Sequence, residues 1–266
     1  MHVVSRDLER YPLRPHRQGV TWFTDHACPA DEYRALMADN DVEQAVLVQA
    51  LGAYSDDNRY CVDSANADPT RFTAVVYADS APALARWAPE GATGVRLVAG
   101  TGGDMPGLAD PAVAELVAAA VELDLRILLM TFVDSLAGLP ALVERAGDVP
   151  VAIDHCAFPD LTGGPPYPRA RPLFEMAALP TVHVKVSTNA LDQAAKAGGD
   201  PRDFVSAHVD AYGPERLQWG SDWSQTHDRP YAELVAYARQ AFSVIPQEDR
   251  RWVEGDAARQ FWRWNA

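Results

Sequence analysis

The stretch DPAVAELVAAAVELDLRILLMT, residues 110–131, decides the fold class. Asp110 offers a capping oxygen, Pro111 suits the first helical position, and the apolar residues of AVAELVAAAVEL return at helical spacing. Two residues later Arg126–Thr131 (RILLMT) is a run of strand length that is apolar on both faces. A helix leading into such a strand is half of a βα repeat around a parallel sheet covered on both sides.

The alternation continues in both directions. Strands are expected at a stub, Met1–Val4, then at Gln44–Gln49, Thr73–Tyr77, Gly94–Val98, Arg126–Thr131, Val151–Asp154, Val182–Val186 and Leu217–Gly220. Helices are expected at Asp31–Asp39, Asp57–Ala67, Pro82–Trp87, Leu136–Arg145, Arg171–Leu179, Pro201–Tyr212 and Pro230–Phe242. A closing pair, Gln247–Glu254 and Asp256–Trp264, ends in aromatics expected on the exterior. Eight strands with intervening helices close most naturally as a (β/α)8 TIM barrel of the α/β class, one domain spanning residues 1–266. The competing open doubly wound sheet normally carries a phosphate loop. The cluster Gly100, Gly102, Gly103 and Gly107 lacks that spacing, is broken by Pro106, and reads as a flexible connection.

Composition narrows the function. With 23 Lys plus Arg against 37 Asp plus Glu, the net charge is −14 and the isoelectric point about 4.8, which opposes binding to nucleic acid or anionic lipid. Cys28, Cys61 and Cys156 have neither disulfide nor zinc-ribbon spacing, and no apolar tract reaches membrane-spanning length. A soluble cytoplasmic protein acting on a small molecule is expected, with self-association left open.

A barrel gathers polar residues from the carboxyl ends of different strands at one mouth. His2, Arg96, His155 and Asp222 qualify. Two imidazoles and a carboxylate suit one zinc or manganese ion with an open position for water. Without metal, Asp222 would deprotonate water while His155 and Arg96 stabilise the oxyanion. Each residue also has a structural reading: Asp222 as a turn cap, His155 as a satisfied core histidine, Arg96 as half of an interior salt bridge with even odds. Lys185 is a weaker candidate of the same kind. Strand alternation points Asp154 away from the pocket, toward helices or loop. His183 reads as structural, and His16, His26 and His208 as surface or loop residues. Trp223 and His227 follow the last strand and line the pocket in this reading; Tyr54, ahead of Asp56, Asp57 and Asn58, is either a substrate contact or part of a capped helix start.

In this order, His2-Val3-Val4, Tyr54-Ser55-Asp56-Asp57-Asn58-Arg59, Gly94-Val95-Arg96-Leu97, Ile153-Asp154-His155, Val184-Lys185-Val186-Ser187, Trp219-Gly220-Ser221-Asp222-Trp223 and Gly255-Asp256-Ala257-Ala258-Arg259 resemble the amidohydrolase superfamily. Within its amidohydrolase-related branch the chain looks most like the 2-pyrone-4,6-dicarboxylate lactonase group. The resemblance implies a (β/α)8 hydrolase with Asp222 as general base, His155 as the strand-six histidine and His2 as the second histidine of an H-x-H pair. It leaves the metal open, since the wider family binds one and the lactonase group is thought to manage without. The first histidine of the pair would lie before Met1, through a late start or a lost half-motif. Met130 and Thr131 stand where many relatives have a metal-bridging residue, which disfavours a two-metal centre. Met130 replaces the substrate-binding tyrosine of that group, and no arginine near Asn189 matches its carboxylate clamp. The expected reaction is therefore hydrolysis of a lactone or related carbonyl compound other than that dicarboxylate. The alternatives are a metal-dependent decarboxylase or hydratase, and a catalytically silent small-molecule-binding barrel.

Overall fold

Seven strands form a single parallel sheet whose order follows the chain: β1 (Ala45–Val48), β2 (Phe72–Tyr77), β3 (Ala92–Val98), β4 (Arg126–Met130), β5 (Val151–Ile153), β6 (Val182–Ser187) and β7 (Leu217–Gly220). The structure, a computed structural model, describes residues 1–15, 20–101 and 105–264; His16, Gly102 and Gly103 lie outside these. Helices follow most strands, giving a TIM-barrel-like arrangement.

Alternation along each strand sorts the side chains. Leu47, Ala74, Val76, Val95, Leu97, Ile127, Leu129 and Ile153 belong to the large core shared with the helices. Their neighbours Val48, Val75, Leu128 and Ala152 form a separate cluster with Phe261 and Trp262. The closing aromatics therefore do not sit on the exterior as expected: they plug the inside of the sheet. Trp262 Nε1 donates to Gln218 Oε1 (3.0 Å), and a methyl group on Gly94 would stand 2.6 Å from the Trp262 ring. Chain reversal at Arg263 (φ 55°) ends this plug helix, Ala257–Trp262.

The eighth strand is the main departure from expectation. Among the described residues Met1–Val4 is not a strand of the sheet. It is nevertheless buried and bonded to β1 in the parallel pattern, the Met1 amine donating to the Val46 carbonyl (3.2 Å) and Val48 N–H to the Met1 carbonyl (2.9 Å). On the other side His2 N–H donates to the Trp223 carbonyl (2.5 Å), so the segment bridges β1 and the turn after β7. Below it a cavity of about 430 Å³ is lined by Met1, Val46, Val48, Gln218 and Gly220, among others.

The helix Pro111–Glu122 matches expectation, the Asp110 carboxylate accepting Ala112 N–H at 2.8 Å. Three helices were not foreseen: Trp22–Asp25, Leu51–Tyr54 and Thr188–Lys196, the last capped by Ser187. No described helix is long and apolar enough to cross a membrane. All three cysteines are buried free thiols.

Candidate active site

Three segments far apart in the chain deliver polar atoms to one point. Asp222 leaves β7 in the left-handed region (φ 58°), a conformation Asp tolerates better than most residues. Its Oδ1 lies 3.3 Å from His2 Nε2 and 3.9 Å from His155 Nε2, and all three residues are buried.

The His2 ring is fixed from behind. Nδ1 sits 2.9 Å from the Val48 carbonyl oxygen, which has no proton to give, so Nδ1 must be the donor. In a neutral ring Nε2 is then a bare lone pair facing a carboxylate oxygen at 3.3 Å. Only an imidazolium, or a cation lodged between the two atoms, reconciles both contacts. Burial opposes the first, lowering the His2 pKa against the pull of Asp222. His155 Nδ1 lies 2.9 Å from Ser187 Oγ, which can donate or accept. Burial lowers the His155 pKa to about 4, despite the nearby Asp154 carboxylate. For Asp222, burial pushes upward, but His155, the His2 contact and the Lys185 charge outweigh it and hold the carboxyl well below its usual range.

The donor chemistry suits a divalent ion. Ligands at roughly 2.0–2.2 Å on a tetrahedral ion stand about 3.4 Å apart, so His2 and Asp222 are at ligand spacing and His155 is a few tenths of an ångström beyond it. Among the described residues no group of three or more His, Cys, Asp or Glu is spaced to hold a metal ion as it stands.

Beneath the site lies a second buried group of charges. Asp154, expected to face away, is instead fully buried in the interior, with Arg96 Nη2 2.7 Å from its Oδ2, the Lys185 ammonium against its Oδ1, and His155 Nε2 at 3.5 Å. Alternation accounts for this placement: Val151 and Ile153 belong to the core shared with the helices, so Ala152 and Asp154 point inward, opposite to the expected phase. Burial would raise the Asp154 pKa, but His155, Lys185 and Arg96 hold it well below the usual range. Arg96 thus takes the salt-bridge alternative, although its Nε–H is buried without a partner. A methyl on Gly220 would stand 2.8 Å from Lys185 Cε, so the glycine leaves the channel along which that side chain reaches Asp154.

The turn that carries His155 is unusual. His155, Cys156, Ala157 and Phe158 all have φ between 49° and 57°, and none is glycine. A left-handed conformation costs about 1–2 kcal/mol for each such residue, so it persists only where surrounding packing imposes it. Phe158 N–H donates to the His155 carbonyl (3.0 Å) and closes the turn.

The other sequence candidates have varied surroundings. Met130, at the end of β4, is half-buried. Tyr54 is buried, its hydroxyl accepting Ser5 N–H at 2.8 Å. Trp223 packs edge-on to Tyr231, with its indole N–H unpartnered. His227 stacks on exposed His26 at 3.9 Å. His183 packs against Phe261, consistent with a structural role. His208 is not a surface residue: it is fully buried, with Nδ1 2.8 Å from the Phe204 carbonyl. Sequence reading also missed Ser187, Trp22 and Phe158. Trp22 lies 5.9 Å from the His2 ring and is buried in a four-residue helix, too short to leave a periodic signal.

Comparison with known proteins places this geometry. The amidohydrolase family model matches residues 1–264. The L-fucono-1,5-lactonase of Burkholderia ambifaria is 29% identical over 246 residues, covering 86% of this chain and 82% of that protein. Among solved structures, a protein from Pseudomonas putida assigned as a 2-pyrone-4,6-dicarboxylic acid hydrolase is 25% identical with a TM-score of 0.80, covering 100% of this chain and 96% of that one. An amidohydrolase from Burkholderia multivorans with bound zinc is similar in fold, with a TM-score of 0.75 and 22% identity over 98% of this chain and 96% of its own.

Proposed function

Because the chain belongs to the amidohydrolase family, we propose that it is a hydrolase that opens a small lactone with water, using Asp222, His155 and His2. The observation that carries this reading is the convergence of the two imidazole Nε2 atoms on Asp222 Oδ1, in a chain similar to lactonases. The substrate carbonyl would sit at the mouth with its carbon beside Asp222. Water adds to that carbon and gives its proton to Asp222; the ring C–O bond then breaks, and the departing alkoxide takes the proton back. His155 would stabilise the oxyanion.

A carboxyl held well below its usual range is ionised when water enters, and so is free to accept a proton, although it is a weak base. A zinc or manganese ion held by His2 Nε2, Asp222 Oδ1 and His155 Nε2 would supply acidified water and carbonyl polarisation. Arg96 and Lys185 both contact Asp154 in the interior; the lack of a clamp arginine near Asn189 favours a lactone without the two carboxylates of the pyrone substrate. In the same reading Met130, Tyr54, Trp223 and His227 border the substrate. Met1–Val4 serves as the eighth strand that closes the barrel, its two bonds to β1 being the support. The three buried free thiols fit a reducing, cytoplasmic setting.

The test is a panel of lactones assayed with added zinc, with manganese and after chelation, for wild type and Asp222→Asn. Ring opening by wild type and its loss in the variant support the reading. A wild type that opens none under any metal condition, or a variant as active as wild type, overturns it.

A further inference from the structure

The aromatic wall beside His155 is not used by the steps above. Phe158 lies three residues after His155 around the left-handed turn, and its ring stacks on the imidazole with centroids 4.9 Å apart and planes 29° apart. Phe132 packs against the same ring at 5.4 Å. Both phenylalanines are half-buried, and each follows the carboxyl end of a strand, β4 for Phe132 and β5 for Phe158. That end of the sheet carries the site. An apolar pair left partly open there, fixed by a strained turn, is a surface kept for something other than core packing. Arg96 and Lys185 both contact the interior carboxylate Asp154 and belong to that buried group.

We propose that Phe158 and Phe132 determine specificity, by receiving the apolar face of the lactone ring beside the carbonyl carbon. The preferred substrates are lactones with an alkyl or aromatic ring face, in preference to fully hydroxylated ones. The left-handed turn holds the Phe158 ring stacked on His155, 29° from parallel, so that the aromatic wall borders one face of the substrate while the carbonyl reaches Asp222. The inference rests on the lactonase reading for its kinetics, but not for its binding.

The experiment has two arms. In the first, wild type, Phe158→Ala, Phe158→Leu and Phe132→Ala are assayed on dihydrocoumarin, a benzo-fused six-membered lactone, and on glucono-1,5-lactone, its hydroxylated counterpart in ring size. The expected result is that Phe158→Ala raises KM for dihydrocoumarin about ten-fold more than for gluconolactone, the scale of one lost aromatic contact with its buried area. Phe158→Leu should recover most of that difference, and Phe132→Ala should show a smaller loss in the same direction. In the second arm 2-tetralone, which has the shape of dihydrocoumarin but no ester bond, is titrated calorimetrically into the same proteins after thermal melts confirm folding. Wild type should bind it, and Phe158→Ala about ten-fold more weakly. Equal effects on both lactones, or equal tetralone affinity in wild type and Phe158→Ala, overturn the proposal. Tetralone binding that depends on Phe158 in a protein that opens no lactone would sink the hydrolase reading and leave the wall standing.

Discussion

Replacing Lys185 by methionine tests the interior charge group around Asp154. The substitution keeps the aliphatic stem that passes over Gly220 and removes only the ammonium lying against Asp154. Asp154 has no side-chain exposure and Lys185 only 13%, so solvent screens neither partner appreciably. Removing one partner of such a buried pair typically costs 3–5 kcal/mol; Arg96 remains 2.7 Å from the other carboxylate oxygen, which places the expected loss near the lower end, about 3 kcal/mol. For a domain of this size that is a fall in Tm of roughly 6–12 °C. The assay is thermal and urea unfolding of wild type, Lys185→Met, Asp154→Asn and the double variant. Because the lost lysine matters only through the carboxylate, the double variant should be less destabilised than the sum of the singles by at least about 1 kcal/mol. A Lys185→Met protein within about 0.5 kcal/mol of wild type, or additive single effects, would refute the reasoning and make Lys185 a solvated group.

Three further outcomes are expected. Asp222→Asn should lower kcat by about 10²–10⁴-fold in a lactone assay while leaving the circular dichroism spectrum native. Burial lowers His208 from 6.5 to about 4, so between those values the unfolded chain binds a proton that the native protein refuses; stability should fall as pH drops from 6.5 toward 4, and His208→Phe should flatten that slope in Tm measured against pH. Gly220→Ala places a methyl 2.8 Å from Lys185 Cε and should cost about 1–3 kcal/mol by overpacking, read as a lower urea midpoint, with less than that in a Lys185→Ala background.

Much of this architecture was legible from sequence because parallel strands buried on both faces read as unbroken apolar runs. Leu217–Gly220 and the helix Pro201–Tyr212 fall where expected, and the other strands shift by one or two residues. The errors have local causes. Thr188–Lys196 reads as TNALDQAAK, too polar and too close to β6 to suggest a helix, although Ser187 ahead of it is a capping residue. His208 was assigned to the surface by residue type, while Phe204, His208 and Tyr212 share one face at four-residue spacing and that face is buried. His2, His155 and Asp222 were recognisable as strand-end residues that a barrel would gather. The contact of His155 with Asp154 was not, because neighbouring strand residues face opposite ways and the left-handed turn that joins these two has no glycine to announce it. Phe261 and Trp262 gave no sign of turning inward, since a helix tail is equally apolar whether it plugs a sheet or covers it.

The contact between His2 and Asp222 joins residues some 220 positions apart in the sequence. On a ribosome, His2 can pair with β1 early but must wait for β7 to emerge before chemistry becomes available. Fraying at that seam would silence the enzyme while spectroscopy still reported a folded protein, so loss of turnover should precede loss of ellipticity on warming.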